Sequence, residues 1–219
     1  MAKKSNYPIL FTLCTFIILI ISCIFTFDRM TWVLEVFPIL LGLPVLFFTY
    51  KRFPFTNLIY ILLIIHFIIL SVGGIYTYAE VPLGYWMQDW FGFTRNNYDK
   101  IGHFAQGFVP AMLAREVLLR TSPLKQGKWL SFIVVSICLS ISAFYELIEW
   151  WVAILQGASA ESFLGTQGDP WDAQSDMFFA LIGACTALIS LSKYHNKVLK
   201  VNLCDKHFID KKAKIKILT

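Results

Sequence analysis

The chain has 219 residues, 57% of them hydrophobic and 15% charged, with a formal net charge of +5. Together with a mean hydropathy of +0.63, this excludes an ordinary soluble domain, because such a chain has too little polar surface to cover itself. An all-α polytopic membrane protein is predicted, with membrane lipids as its surroundings and no nucleic-acid partner.

Windows of about 20 mostly apolar residues, the length that crosses a ~30 Å hydrocarbon core as helix, occur six times. They lie near 8–27, 31–49, 57–78, 99–120, 129–153 and 172–192, giving one six-helix transmembrane domain over 1–192 and a basic tail over 193–219. The first window follows Lys3 and Lys4 and contains "IISC" (Ile20 to Cys23), which resembles a lipoprotein cleavage box. The apolar run continues to Phe27 without an A-x-A site, so an uncleaved span is the better reading. Spans one to three carry few polar groups. Glu35 and His66 are the exceptions; the ordinary role of such residues is a helix–helix hydrogen bond, with a functional site as the alternative.

The segment 79–98, "AEVPLGYWMQDWFGFTRNNY", is rich in aromatic residues that favour headgroup depth, either as a belt or as a lid over the bundle. The fourth window, "DKIGHFAQGFVPAMLAREVLLR", holds charges that hydropathy alone would reject. The fifth ends in "AFYELIEWW". Segment 154–171 has Gly157, Gly165 and Gly168, so its backbone can turn tightly, but it lacks the lysine of a phosphate loop. The sixth window opens at "GDPWDAQSD", where Asp169 reads as an N-cap, Pro170 as the first helical residue and Asp172 as a carboxylate at the positive helix end. Lysines of the tail set topology or touch anionic lipid. Of the five cysteines none forms a C-x-x-C pair, so neither a disulfide framework nor a thiolate zinc site is expected.

Basic residues orient the spans. With the N-terminus in the cytoplasm, all of the 19 Lys and Arg residues except Arg29, Arg95 and Lys100 fall on the inner side, which predicts an N-in/C-in topology.

Depth then places the chemistry. At about 1.5 Å per residue, His103 lies one turn below Asp99 on the same helix face, with Gln106 beside it. The fifth helix delivers Glu146 and Glu149 to the outer end, and the sixth starts there with Asp172 and Asp176 one turn apart. Three helices therefore bring Asp99, His103, Glu146, Glu149, Asp172 and Asp176 to one level. An acidic residue costs about 3 kcal/mol at the bilayer centre, less near its edge, so these groups need compensation. A structural network through Lys100, Arg95, Gln106 and Tyr145 is one answer. A divalent cation, Mg²⁺, Mn²⁺ or Zn²⁺, is another: Glu146, Glu149, Asp172, Asp176 and His103 as ligands, His103 alternatively as acid/base, and Asp99 orienting it. Such a site suits metal-assisted attack on a lipid or cell-envelope ester. Proton- or ion-coupled transport and a noncatalytic envelope scaffold are the rival classes; no inverted repeat supports the former.

"YDKIGHFAQGFVPAMLAREVL", "AFYELIEWW" and "GTQGDPWDAQSDMFFALIGA" resemble the signature segments of the YjdF-like bacterial inner-membrane proteins. More distantly, the order D-K-x-x-H-F, Y-E-x-x-E, D-x-x-x-D is similar to VanZ-like proteins, where the second and third segments usually read Y-E-x-x-Q and D-x-x-x-N. Glu149 and Asp176 stand at those places and make the cluster more anionic. The resemblance implies the fold and an inner-membrane location, and no particular reaction.

Overall fold

A computed structural model describes residues 7–156 and 166–217; Lys3, Lys4, Gly157 and Gly165 lie outside the described residues. The described residues form helices: α1 (Tyr7–Phe25), α2 (Arg29–Thr49), α3 (Asn57–Tyr76), a 3-10 turn at Tyr78–Glu80, α4 (Pro82–Phe91), α5 (Tyr98–Thr121), α6 (Lys128–Gln156) and α7 (Asp172–Ile217). Five are long and apolar enough to cross a membrane: α1, α2, α3, α6 and α7 as far as Lys200. Beyond the expected end near 192, α7 continues without a break through the basic segment.

α5 fails the hydropathy criterion because Asp99, Lys100, Arg115 and Glu116 sit on it, yet all four are buried. It packs against α3, α6 and α7, so its polar groups face protein rather than lipid. The apolar core joins Phe11 of α1, Val36 and Ile39 of α2, Ile59, Leu63 and Phe67 of α3, Val109 and Met112 of α5, and Val134 and Cys138 of α6. Large side chains elsewhere on α1 and α2, such as Ile17, Ile24, Phe47 and Phe48, point outward, as expected where lipid tails are the solvent.

The aromatic segment 79–98 folds as a short helix rather than a loop. Pro82 opens α4, where its missing N–H costs nothing, and Gly92 closes it in the left-handed conformation at φ 67°. Trp86 and Trp90 are exposed on α4. On its other side Gly84 abuts the Asn96 amide, leaving no space for a Cβ. Asn96 in turn donates to Val81 O (3.0 Å) and accepts from the Tyr98 N–H (3.1 Å), tying α4 to the start of α5.

Helices α5 and α7 approach each other backbone to backbone. A Cβ on Gly107 would lie 1.8 Å from Ala180 O, and one on Gly183 2.1 Å from Phe104 O. Backbone, not a flexible side chain, occupies the space. Gly183→Ala is therefore expected to cost about 1–3 kcal/mol by forcing the helices apart, read as a lower denaturation midpoint in detergent. Wild-type stability in that variant would disprove the close packing.

Candidate functional site

The polar cluster forms at the end of the bundle where α5 and α7 begin and α6 ends. Its frame is the segment before α5, where Gln167 binds the Asn96 backbone from both sides, accepting from N–H (3.0 Å) and donating to O (2.8 Å). This holds Arg95 against α7. Arg95 Nη1 lies 2.8 Å from Asp172 and 3.3 Å from Asp169 and donates to Thr166 O, while Nη2 pairs with Asp99 in the first turn of α5. Burial works against the Arg95 charge, but the Asp99, Asp172 and Asp169 carboxylates outweigh it and hold the guanidinium above its ordinary value.

Lys100 completes the network from the next residue of α5. Its Nζ donates to Asp172 Oδ1 (2.8 Å) and Asp176 Oδ1 (2.7 Å) and lies 3.2 Å from Asp99 Oδ2. Asp172 and Asp176 accept the same ammonium because one helical turn puts them on one face of α7. Asp169 does not cap α7 itself: it accepts from the Trp171 N–H (2.9 Å) in the turn before the helix, which begins at Asp172.

His103 lies a turn deeper. Its Nδ1 faces Gln106 Oε1 at 2.8 Å, and its Nε2 lies 3.6 Å from Asp176 Oδ2. Asp99, expected to orient His103, is instead held by the two cations, and Gln106 takes the orienting role. With the Gln106 oxygen accepting from Nδ1–H, the lone pair of the neutral ring resides on Nε2 and points toward Asp176. Glu146 Oε1 lies 3.9 Å from His103 Nδ1 and is buried without a hydrogen-bond partner among the described residues. Ligand atoms of His103, Glu146 and Asp176 thus fall within 4.8 Å of one another, as do those of Asp99, Asp172 and Asp176. The second group already surrounds Lys100.

A cavity of about 140 Å³ opens beneath this rim, lined by Asp99, His103, Gln106, Asp176 and Glu149 from the predicted cluster. It is also lined by Glu35 of α2 and His66 of α3, which the sequence offered only as isolated polar residues. Tyr78 enters from the 3-10 turn, its ring filling a notch where a Cβ on Gly73 or Gly102 would come within 2.2 and 2.6 Å. Thr77 just before it has φ 63° and ψ 144°, a strained conformation for a β-branched residue. Tyr145 reaches the cavity from α6, edge-on to His103. Its hydroxyl donates to Leu34 O at 3.4 Å. That carbonyl lacks its helical partner because Pro38, four residues on, has no N–H.

A second polar network lies at the other end of α5 and was not anticipated. Glu116 accepts from Thr56 N and Oγ1, His195 Nε2 and Arg120 Nη1, and Arg115 donates to His195 Nδ1 and Asn196 Oδ1.

Residues 7–197 match the family described as "Predicted membrane protein (DUF2238)". The chain is 50% identical over 184 residues to "Inner membrane protein YjdF" of Escherichia coli (strain K12), covering 84% of this chain and 88% of that protein. No solved structure matches. The likeness to VanZ-like proteins rests on the motif order alone. With the family covering nearly all of the helical bundle, the chain belongs to the YjdF-like DUF2238 membrane proteins and is a protein of the inner membrane.

Proposed function

We propose that α5 is a sixth span in an N-in/C-in bundle, and that the Arg95 end, facing the extracytoplasmic side, binds a divalent cation between His103, Glu146 and Asp176. At 24 residues α5 is about 36 Å long, enough to cross, and its inward charges explain its weak hydropathy. One observation carries the cation reading: Glu146 Oε1 is buried and unpartnered beside His103 and Asp176, in a group whose ligand atoms need only a small closure to reach a common ion. Gln106 supports it by holding Nδ1 of His103, which leaves Nε2 on the Asp176 side as the nitrogen free to ligate, while Glu146 Oε1 stands 3.9 Å from Nδ1. Asp172 and Asp99, bound to Lys100 and Arg95, serve as the surrounding frame.

A cation held there would supply Lewis acidity toward an ester or phosphoester oxygen of a lipid or envelope substrate. Glu149, which lines the adjoining cavity, would serve as the proton acceptor. The second reading, ion- or proton-coupled transport, is favoured by Glu35 and His66 facing the same cavity. Against it, Val109, Ala111 and Met112 are packed in the apolar core around the cavity's deepest α5 residue, Pro110.

Purified protein is expected to bind about one Mn²⁺, Zn²⁺ or Mg²⁺ per chain and to unfold at a higher temperature with it. Glu146→Gln and Asp176→Asn should abolish the shift, and Gln106→Leu should weaken affinity about 10–100-fold. No stoichiometric cation and no thermal shift would refute the reading. Vesicle uptake lost in Glu149→Gln, without cation binding, would favour transport.

A further inference from the structure

Helix α1 packs along α3 but hardly touches α2, and a groove of about 540 Å³ stays open between the start of α1 and the end of α2. Its floor is Phe11, Leu43 and Tyr60, all buried, with the Phe11 and Tyr60 rings 5.3 Å apart. Its walls are Ile9 and Leu13 of α1 and Phe47 and Phe48 of α2, whose side chains stand out from the bundle. Leu43 lies nearly two turns, about 9 Å, below the end of α2 at Thr49. The groove therefore grades from apolar at its deep end to Tyr50 and Lys51 at its mouth.

The mouth carries positive charge with nothing to neutralise it. Lys51 and Arg52 are exposed, and neither side chain makes a hydrogen bond or ion pair among the described residues. Arg95, Lys100, Arg115 and Arg120, by contrast, are all engaged. No acid lines the groove; Glu116, near the start of α3, is taken up by its four donors. Two basic residues alone are ordinary at the positive side of a span. Joined to an apolar groove, they have the polarity of an amphiphile with an anionic head. Within a bilayer an acyl chain moving from lipid into the groove gains packing but little hydrophobic free energy, so the headgroup decides which lipid is held. A zwitterionic head would bring its ammonium toward the same two cations.

We propose that this groove is a binding site for an anionic diacyl phospholipid, with one acyl chain against Phe11, Leu43 and Tyr60 and the phosphate at the Lys51 and Arg52 side chains. Basic pockets at the cytoplasmic ends of spans hold acidic headgroups by the same electrostatics. The N-in orientation proposed above makes the cytoplasmic leaflet the source of the lipid. The site itself rests on the groove and its two cations, at the opposite end from the His103 cation site.

The test is titration of the purified full chain in neutral detergent with dioleoylphosphatidylglycerol or dioleoylphosphatidylcholine, read by native mass spectrometry. Orientation plays no part in detergent, and a chelator keeps the outcome separate from divalent-cation binding. One saturable phosphatidylglycerol per chain is expected, held about tenfold or more above phosphatidylcholine. Lys51→Gln should weaken it about fivefold, and the double variant with Arg52→Gln further. Lys125→Gln, at an exposed lysine near the same end but outside the groove, should leave it unchanged. Phosphatidylglycerol with a diazirine in its acyl chain should label residues 8–13 and 43–48 of the wild-type chain, and glycerol phosphate, a head without a chain, should not compete. Equal affinity for the two lipids, label confined to other segments, or an equal loss in Lys125→Gln overturns the proposal. So does a lipid-independent dimer in which residues 8–13 and 43–48 escape labelling, which would give the groove to a second copy of the chain. The lipid comparison and the labelling need no variant, so a folding defect would not shield it.

Discussion

Lys100→Met is expected to destabilise the protein by about 3–5 kcal/mol, the range seen when one partner of a buried ionic network is removed. The lysine Nζ lies within 3.2 Å of three carboxylates, from Asp99, Asp172 and Asp176. Arg95 would then be left to neutralise them, and among the described residues it pairs with Asp99, Asp169 and Asp172 but not with Asp176, whose remaining neighbour is His103. Asp176 is the costliest orphan, with its side chain only 3% exposed. Methionine keeps most of the stem's packing, so the loss reports charge rather than volume. Denaturant unfolding in detergent measures it. The double variant Lys100→Met, Asp176→Leu should recover a large part of the loss by removing that orphan. A single-variant loss below about 1 kcal/mol would mean that the network behaves like an exposed surface ion pair.

The same network shows what sequence can and cannot deliver. As helices, though not as spans, the windows at 31–49 and 99–120 coincide with Arg29–Thr49 and Tyr98–Thr121 to within two residues at each end. Helical rise is fixed, and ligand atoms of His103, Glu146 and Asp176 lie within 4.8 Å of one another, as do those of Asp99, Asp172 and Asp176, whereas Glu149, expected among the ligands, is in neither group. Azimuth is what fails. In a helix apolar all round, such as α2 or α3, no polar stripe says which side meets protein, so Glu35 and His66 could not be assigned to the cavity from one chain position each. Local pairing also competes at a resolution that spacing lacks. Asp99 and His103 are one turn apart, yet Arg95 and Lys100 lie closer to the Asp99 carboxylate and Gln106 lies closer to the imidazole. The short helix α4 was hidden because ten residues beside a membrane need only an amphipathic face, Pro82 and Gly92 to form.

Glu116→Gln should have an effect of similar size, about 3–5 kcal/mol, for a reason that geometry makes specific. Arg115 Nη1 lies 2.9 Å from His195 Nδ1 and can only donate, so Nδ1 carries the lone pair and Nε2 the proton, which it gives to Glu116 Oε2 at 3.0 Å. Every group around Glu116 is therefore a donor: the His195 Nε2–H, the Thr56 N–H and hydroxyl, and Arg120, whose guanidinium also stacks 3.7 Å over Phe53. A glutamine amide turns one oxygen into N–H₂ and sets donor against donor at a fully buried position, while Arg120 loses the carboxylate it pairs with. The residues that converge here are about 60 and 80 positions apart in the chain, and in sequence they look like the basic residues that orient a membrane protein. Because the network joins α3, α5 and α7 at the end opposite the cavity, the variant should unfold earlier while native protein still binds cation at the His103 site with unchanged affinity. His195→Ala, which removes one donor and leaves the other three, should cost less, about 1–3 kcal/mol. A Glu116→Gln protein as stable as wild type, or one that loses cation affinity in proportion to its stability, would show that the two ends are not independent and that the donor count is not what holds them.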